Sequence, residues 1–189
     1  MTTSTTTTAT IPGLVPGTWT VDPVHSEVSF TVRHMMVSKV RGIFRRFDAE
    51  LVIAEDPLQS TVDATVDVSS FDTGNTDRDA HIRSADFLDL EQYPTMTYRS
   101  TGIRPDGDDY VVDGELSLHG VTRPVPLQLE VGGVTPDPYG NLRLGLSATA
   151  EINRRDFGID ITMPLEAGGV VVGDKVRITL DVEATRPNS

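Results

Sequence analysis

Apolar and polar residues alternate along most of the chain from Gly17 onward, the period-2 pattern of strands with one buried face. Trp19 and Val21 open the series. In "EVSFTVRH", Val28, Phe30, Val32 and His34 share one face, and Glu27, Ser29, Thr31 and Arg33 share the other. Phe47, Ala49, Leu51 and Ile53 align in "FDAELVIA", as do Val62, Ala64, Val66 and Val68 in "TVDATVDVS". Met96 and Tyr98 follow, then apolar stripes over residues 110–118, 125–131, 142–152 and 176–184. Turn signals such as "EDPLQ", "RPDGDD" and "VGGVTPDPYGN" separate the runs. Eight or nine strands joined mostly by short links predict an all-β fold of antiparallel neighbours, a sandwich or a barrel. The runs over 43–54, 60–69 and 141–153 look long, which suits a tall barrel, apolar within and polar outside. An eight-stranded barrel either fills with side chains or holds one small ligand, and periodicity leaves both readings open.

One stretch breaks the pattern. "GNTDRDAHIRSADFLDLEQYP", residues 74–94, has no alternation and carries seven charged residues. Ile82, Ala85 and Leu88 sit at helical spacing, Asn75 or Asp77 can cap a start, and Tyr93-Pro94 ends the segment. A helix this short needs a surface to pack on. The open end of a barrel offers one, so the segment is expected as a short helical lid between two strands. Arg78, Asp79 and His81 within it suit either an acid–base or head-group site or an ion-pair clasp. The clasp is the commoner use of such clusters.

Composition narrows the function classes. The 189 residues fit one domain, and no cysteine is present, which excludes disulfides and thiolate chemistry. The net charge of −12 argues against a nucleic-acid partner and against general attraction to an anionic membrane. No apolar run is long enough to span a bilayer, so stable membrane insertion is not expected. The Thr-rich start, residues 1–16, reads as a disordered tail ahead of a domain at 17–186. It lacks the basic and apolar regions of a secretory signal, so a cytoplasmic location is expected.

Motifs for catalysis are missing. His25, His34, His81 and His119 form no HxH, HxxxH or HExxH pair, and no metal site or cofactor is expected. No serine sits in a nucleophile elbow, and "GVVVG" at residues 169–173 lacks the setting of a phosphate loop and reads as a plain loop. His34, in phase with apolar neighbours, is either a hydrogen-bonded core residue or the polar end of an apolar tunnel.

Four blocks then carry a resemblance: "TWTVDPVHSEVSFTVRHMMVSKVRGIFRRF", "VDVSSFDTGNTDRDAHIRSADFLDLEQYPTMTYRS", "GELSLHGVTRPVPL" and "AEINRRDFGI". In this order, and covering residues 18–184, they resemble the signature blocks of the YceI-like family. That resemblance implies an extended eight-stranded antiparallel lipocalin-like barrel holding a polyisoprenoid chain or isoprenoid quinone in an apolar tunnel. It also implies a protein that is often exported and often dimeric, so an exported form stays open beside the cytoplasmic one.

On this reading the tunnel lining is Phe30, Val32, His34, Phe44, Phe47, Met96, Tyr98, Leu116, Leu118, Leu129, Leu144 and Leu146. Phe44 and Phe47 are out of phase, so both can point inward only if a bulge separates them. Arg78, Asp79 and His81 then close a lid or face a head group. The expectation is a binding, transport or storage protein and no catalytic residue. The alternatives are an enzyme using His34 or Arg78, Asp79 and His81 on a lipophilic substrate, and a stress-related module that sequesters lipophilic compounds.

Overall fold

The computed structural model describes residues 10–162 and 172–188. Twelve strands occur among them: β1 (Gly17–Val21), β2 (Glu27–His34), β3 (Ser38–Phe44), β4 (Phe47–Ile53), β5 (Thr61–Asp67), β6 (Phe71–Asp72), β7 (Thr95–Asp106), β8 (Asp109–Leu118), β9 (Val121–Pro124), β10 (Leu127–Pro136), β11 (Asn141–Asn153) and β12 (Val172–Pro187). One helix, α1 (Thr76–Arg83), interrupts them. All the pairings are antiparallel. Eight strands run in the order β1-β4-β5-β7-β8-β10-β11-β12, and β12 closes the ring by pairing Ala184 with Val21 of β1. The fold is a closed eight-stranded antiparallel barrel with one short helix. Closure removes the exposed strand edges that an open sheet would present.

The strand count exceeds the number of staves because four staves are broken, one of them between β9 and β10, which both pair with β8. The run expected as one long strand over 43–54 is two strands, and no bulge joins them. The break at Arg45-Arg46 resets the alternation, so Phe44 and Phe47 both face inward. Its cause is a paired break in the neighbouring stave, the single helical turn Val68–Ser70 between β5 and β6. Arg45 donates its backbone N–H to Ser70 O at 3.2 Å, and its guanidinium to Asp72 at 2.8 Å. Arg46 donates to Asp67 at 2.9 Å and to Ser69 Oγ at 2.8 Å. Two adjacent arginines thus turn both strands at one corner.

The "DPVHS" stretch makes the third break. β12 pairs with β2 up to Asp181 and with β1 from Ala184. Between the two partners, Ser26 Oγ and Asp22 replace the ladder. Ser26 Oγ accepts from Glu183 N–H at 3.0 Å, and Asp22 N–H donates to Glu183 O at 2.8 Å. Asp22, His25 and Glu183 gather there in ligand-like proximity. Arg143 Nη1, 3.0 Å from both carboxylates, balances their charge with a guanidinium.

Residues 10–16, inside the stretch expected to be disordered, pack on the barrel. Leu14 joins the apolar cluster around Trp19, whose indole N–H donates to Val15 O at 3.0 Å. Residues 1–9 lie outside the described residues, as do 169–171 of the expected loop at 169–173, while Val172 and Gly173 begin β12.

Candidate functional site

Two apolar cavities lie end to end inside the barrel. The first, about 230 Å³, is lined at its far end by Ile11, Leu14, Val21, Ile53, Val131, Leu144 and Val182. The second, about 500 Å³, lies under α1 and the start of β12. Both are lined by Val28, Met96, Leu116 and Ile178, so they adjoin at that ring. Pockets for small organic ligands run roughly 300–1,000 Å³, and this interior reaches that scale. The barrel is therefore not a filled core.

All twelve residues expected to line a tunnel face this interior. Phe47, Tyr98, Leu129, Leu144 and Leu146 line the first cavity, and Phe30, Val32, His34, Phe44 and Leu118 the second. Met96 and Leu116 belong to both. Leu144 is also 2 % exposed and packed into the cluster of Trp19, Val21, Leu51, Ile53 and Ala184. It is as much core as wall.

Two hydroxyls that line the first cavity, those of Tyr98 and Ser60, turn back on the backbone. The Tyr98 hydroxyl donates to Val125 O at 2.8 Å, and burial raises its pKa well above the ordinary phenol value. A Cβ at position 114 would strike that hydroxyl, so glycine there lets Tyr98 reach its partner. Ser60 Oγ accepts from Ala54 N–H at 3.0 Å. What remains facing the void is hydrocarbon.

The second cavity differs. Its aromatic wall is Phe30, Phe44 and Phe71, with ring centroids 5.1–5.8 Å apart. Among the described residues that line it are Arg33, His34, Arg78, His81 and Arg154, against one carboxylate, Asp77. Arg154 is 4 % exposed and donates to Gly173 O at 3.1 Å and Ile159 O at 2.6 Å. Burial pushes its pKa down, partly offset by Asp174, 3.2 Å from Nη2 at an angle that makes no hydrogen bond. Sequence reasoning missed Arg33 and Arg154. Arg33 sits in phase with the outer face, and Arg154 follows β11 in a turn capped by Asn153.

The helical segment behaves as a clasp. Asn75 caps α1 by accepting from Arg78 N–H at 2.9 Å. Asp79, 5 % exposed, accepts from Thr73 N–H at 3.0 Å and Thr73 Oγ1 at 2.5 Å. The Arg78 guanidinium donates to Thr73 Oγ1 at 2.8 Å and Thr73 O at 3.1 Å. His81 pairs with Asp86 at 2.9 Å and meets the Phe87 ring edge-on. Ile82, Phe87 and Leu88 press on the second cavity, so the segment covers it as expected of a lid. Of its three candidate residues, Arg78 and His81 line the cavity, and Asp79 faces Thr73.

The remaining signature residues are joints as well. His119, at φ 54°, turns β8 into β9, donates from Nδ1 to Phe157 O at 3.0 Å and packs on Tyr93 of the "YP" pair.

Comparison with known proteins follows the same lines. The sequence pattern of the YceI-like domain matches residues 19–184. Protein YceI of Escherichia coli O6:H1 is 40 % identical over 136 residues, 71 % of each chain. BcnA of Burkholderia cenocepacia superposes with a TM-score of 0.71 at 25 % identity, covering 86 % of this chain and 98 % of BcnA. A polyisoprenoid binding domain from Saccharophagus degradans shares the fold, with a TM-score of 0.66 at 17 % identity over 89 % of this chain and 98 % of that domain.

Proposed function

This chain belongs to the YceI-like family, and we propose that it binds one long lipophilic chain, a polyisoprenoid or isoprenoid quinone, to carry or store it. The observation that bears this reading is the pair of adjoining apolar cavities, closed at one end by hydrocarbon and edged at the other by arginine and histidine. The tail lies in the first cavity and across the Val28–Met96–Leu116–Ile178 ring. The head group rests among His34, Arg78 and Arg154. The name of the Saccharophagus domain supports the same ligand class.

The energetics need no strong polar contact. Burying one CH₂ contributes about 0.8 kcal/mol, so a five-carbon unit offers roughly 3–4 kcal/mol. Micromolar affinity requires about 8 kcal/mol, which a few units reach after ordering costs. Binding also accounts for the placement of the charged groups better than catalysis does. Asp79 is held by Thr73 and His81 by Asp86, so the trio does not converge on one atom of a substrate.

Solvent extraction of the purified chain with mass spectrometry, beside a native spectrum, tests the proposal. A stoichiometric prenyl species is expected. Ala64→Phe, which places a ring in the first cavity, is expected to lower uptake at least tenfold with the fold intact. A ligand-free spectrum with no uptake of added isoprenoid quinone overturns the reading.

A further inference from the structure

The β2–β3 hairpin ends in Met35, Met36 and Val37, exposed by 43, 54 and 84 %. Three large apolar side chains at the tip of a hairpin expose hydrocarbon to water without any packing return in the free protein. The backbone there is strained too. Met35 and Met36 take φ of 51° and 63°, the left-handed region that favours Gly or Asn. A turn serving only to reverse the chain would be met by those residues.

The charge around the tip is also out of character. The chain carries a net charge of −12, with 28 acids. Residues 28–47 contain no acid, and of their five cations Arg41 pairs with Glu27, Arg45 with Asp72 and Arg46 with Asp67, which leaves Arg33 and Lys39 as the collar without an ion-pair partner among the described residues. Arg33 and Lys39 stand directly opposite each other in the ladder, a like-charge pair that costs stability. Both are exposed on the outer face, nearest the tip. Meanwhile Val32, Arg33, His34 and Val40, on the same hairpin, line the second cavity. An apolar tip, two unpaired cations and part of the lining of the second cavity thus belong to one hairpin.

We propose that this hairpin docks the protein on an anionic phospholipid bilayer, the methionines and Val37 entering the interface and the collar meeting phosphates. Apolar insertion combined with local cations is how peripheral proteins hold an interface. The net negative charge does not prevent it, because charges more than about 8–10 Å away are largely screened at physiological salt. Docking there brings the mouth of the second cavity to the membrane, where lipid can pass in or out. That exchange rests on the binding function proposed above, and the docking does not.

The full chain is floated with phosphatidylcholine vesicles made with and without phosphatidylglycerol. Recovery with the anionic vesicles, weakened by added salt, is expected. Met36→Ser with Val37→Ser is expected to reduce it at least tenfold. Lys39→Gln is expected to reduce it about five-fold, the weight of one cation near such a surface. Val37→Trp reports insertion directly, because the native Trp19 is fully buried and away from the tip. Quenching of the new fluorophore by brominated lipid is expected.

No flotation, equal flotation with neutral vesicles and with the tip variants, or no quenching overturns the proposal. So does a chain dimer that Met36→Ser dissolves, which would make the tip a contact between copies. Prenyl content is measured on the same samples. Ligand present without vesicle binding defeats the docking alone, and vesicle binding by a chain that takes up no ligand defeats the cavity reading alone.

Discussion

The two ends of the barrel interior are built on different principles. At one end Trp19, Leu51, Ile53, Leu144 and Ala184 pack closely, and the 10–16 segment lies over them. The indole N–H of Trp19 is satisfied there by Val15 O. At the other end α1 is a short helix held by hydrogen bonds from Thr73 to Asp79 and from Arg78 to Thr73, with arginines lining the cavity. Dispersion and area hold the first end, so it resists opening. Polar contacts and the three apolar side chains Ile82, Phe87 and Leu88 hold the second, and such thinly packed elements sit at the low-stability part of a fold. Under the proposed function, the tail goes to the closed end and exchange to the clasped one.

The largest effect is expected at the packed end. Trp19→Ala should cost about 3–5 kcal/mol in a urea titration, as fully buried aromatics do. At the clasped end, Asp79→Ala strands Thr73 N–H and should cost about 1–3 kcal/mol. It should also speed hydrogen exchange in α1 and ligand release, while Trp19→Ala speeds neither selectively. Equal losses and uniform exchange in both variants would erase the distinction between the ends.

A smaller effect belongs to the joint between β1 and β12. The His25 hydrogen bond and the Arg143 guanidinium hold the Asp22 carboxyl at about 2, below its ordinary 3.8. A depressed carboxylate contributes stability that is complete above the ordinary value and lost as pH falls through the folded one. Stability should therefore decline between about pH 4 and pH 2, less steeply in Asp22→Asn. Unchanged acid sensitivity in that variant would show the joint to be dispensable.

Much of this was readable in the chain. The inward faces of β2, β8, β11 and β12 follow the alternation directly, and the lid segment shows as its one gap. The broken staves were not readable. "FRRFDAELVIA" reads as one strand because the break depends on Asp67, Ser69 and Asp72, about twenty residues away in sequence. Phe44 and Phe47 are out of phase in the sequence for that reason alone. Arg154 escaped notice because its burial comes from β12 passing over it.

Side-chain direction in a strand depends only on position along it, so the sequence by itself determined which residues face inward and that the fold is all-β. Whether those residues meet or leave space depends on volumes brought together from distant staves. The hollow interior, the partner change of β12 between β2 and β1, and the gathering of arginine and histidine at one mouth were decided only in the tertiary structure.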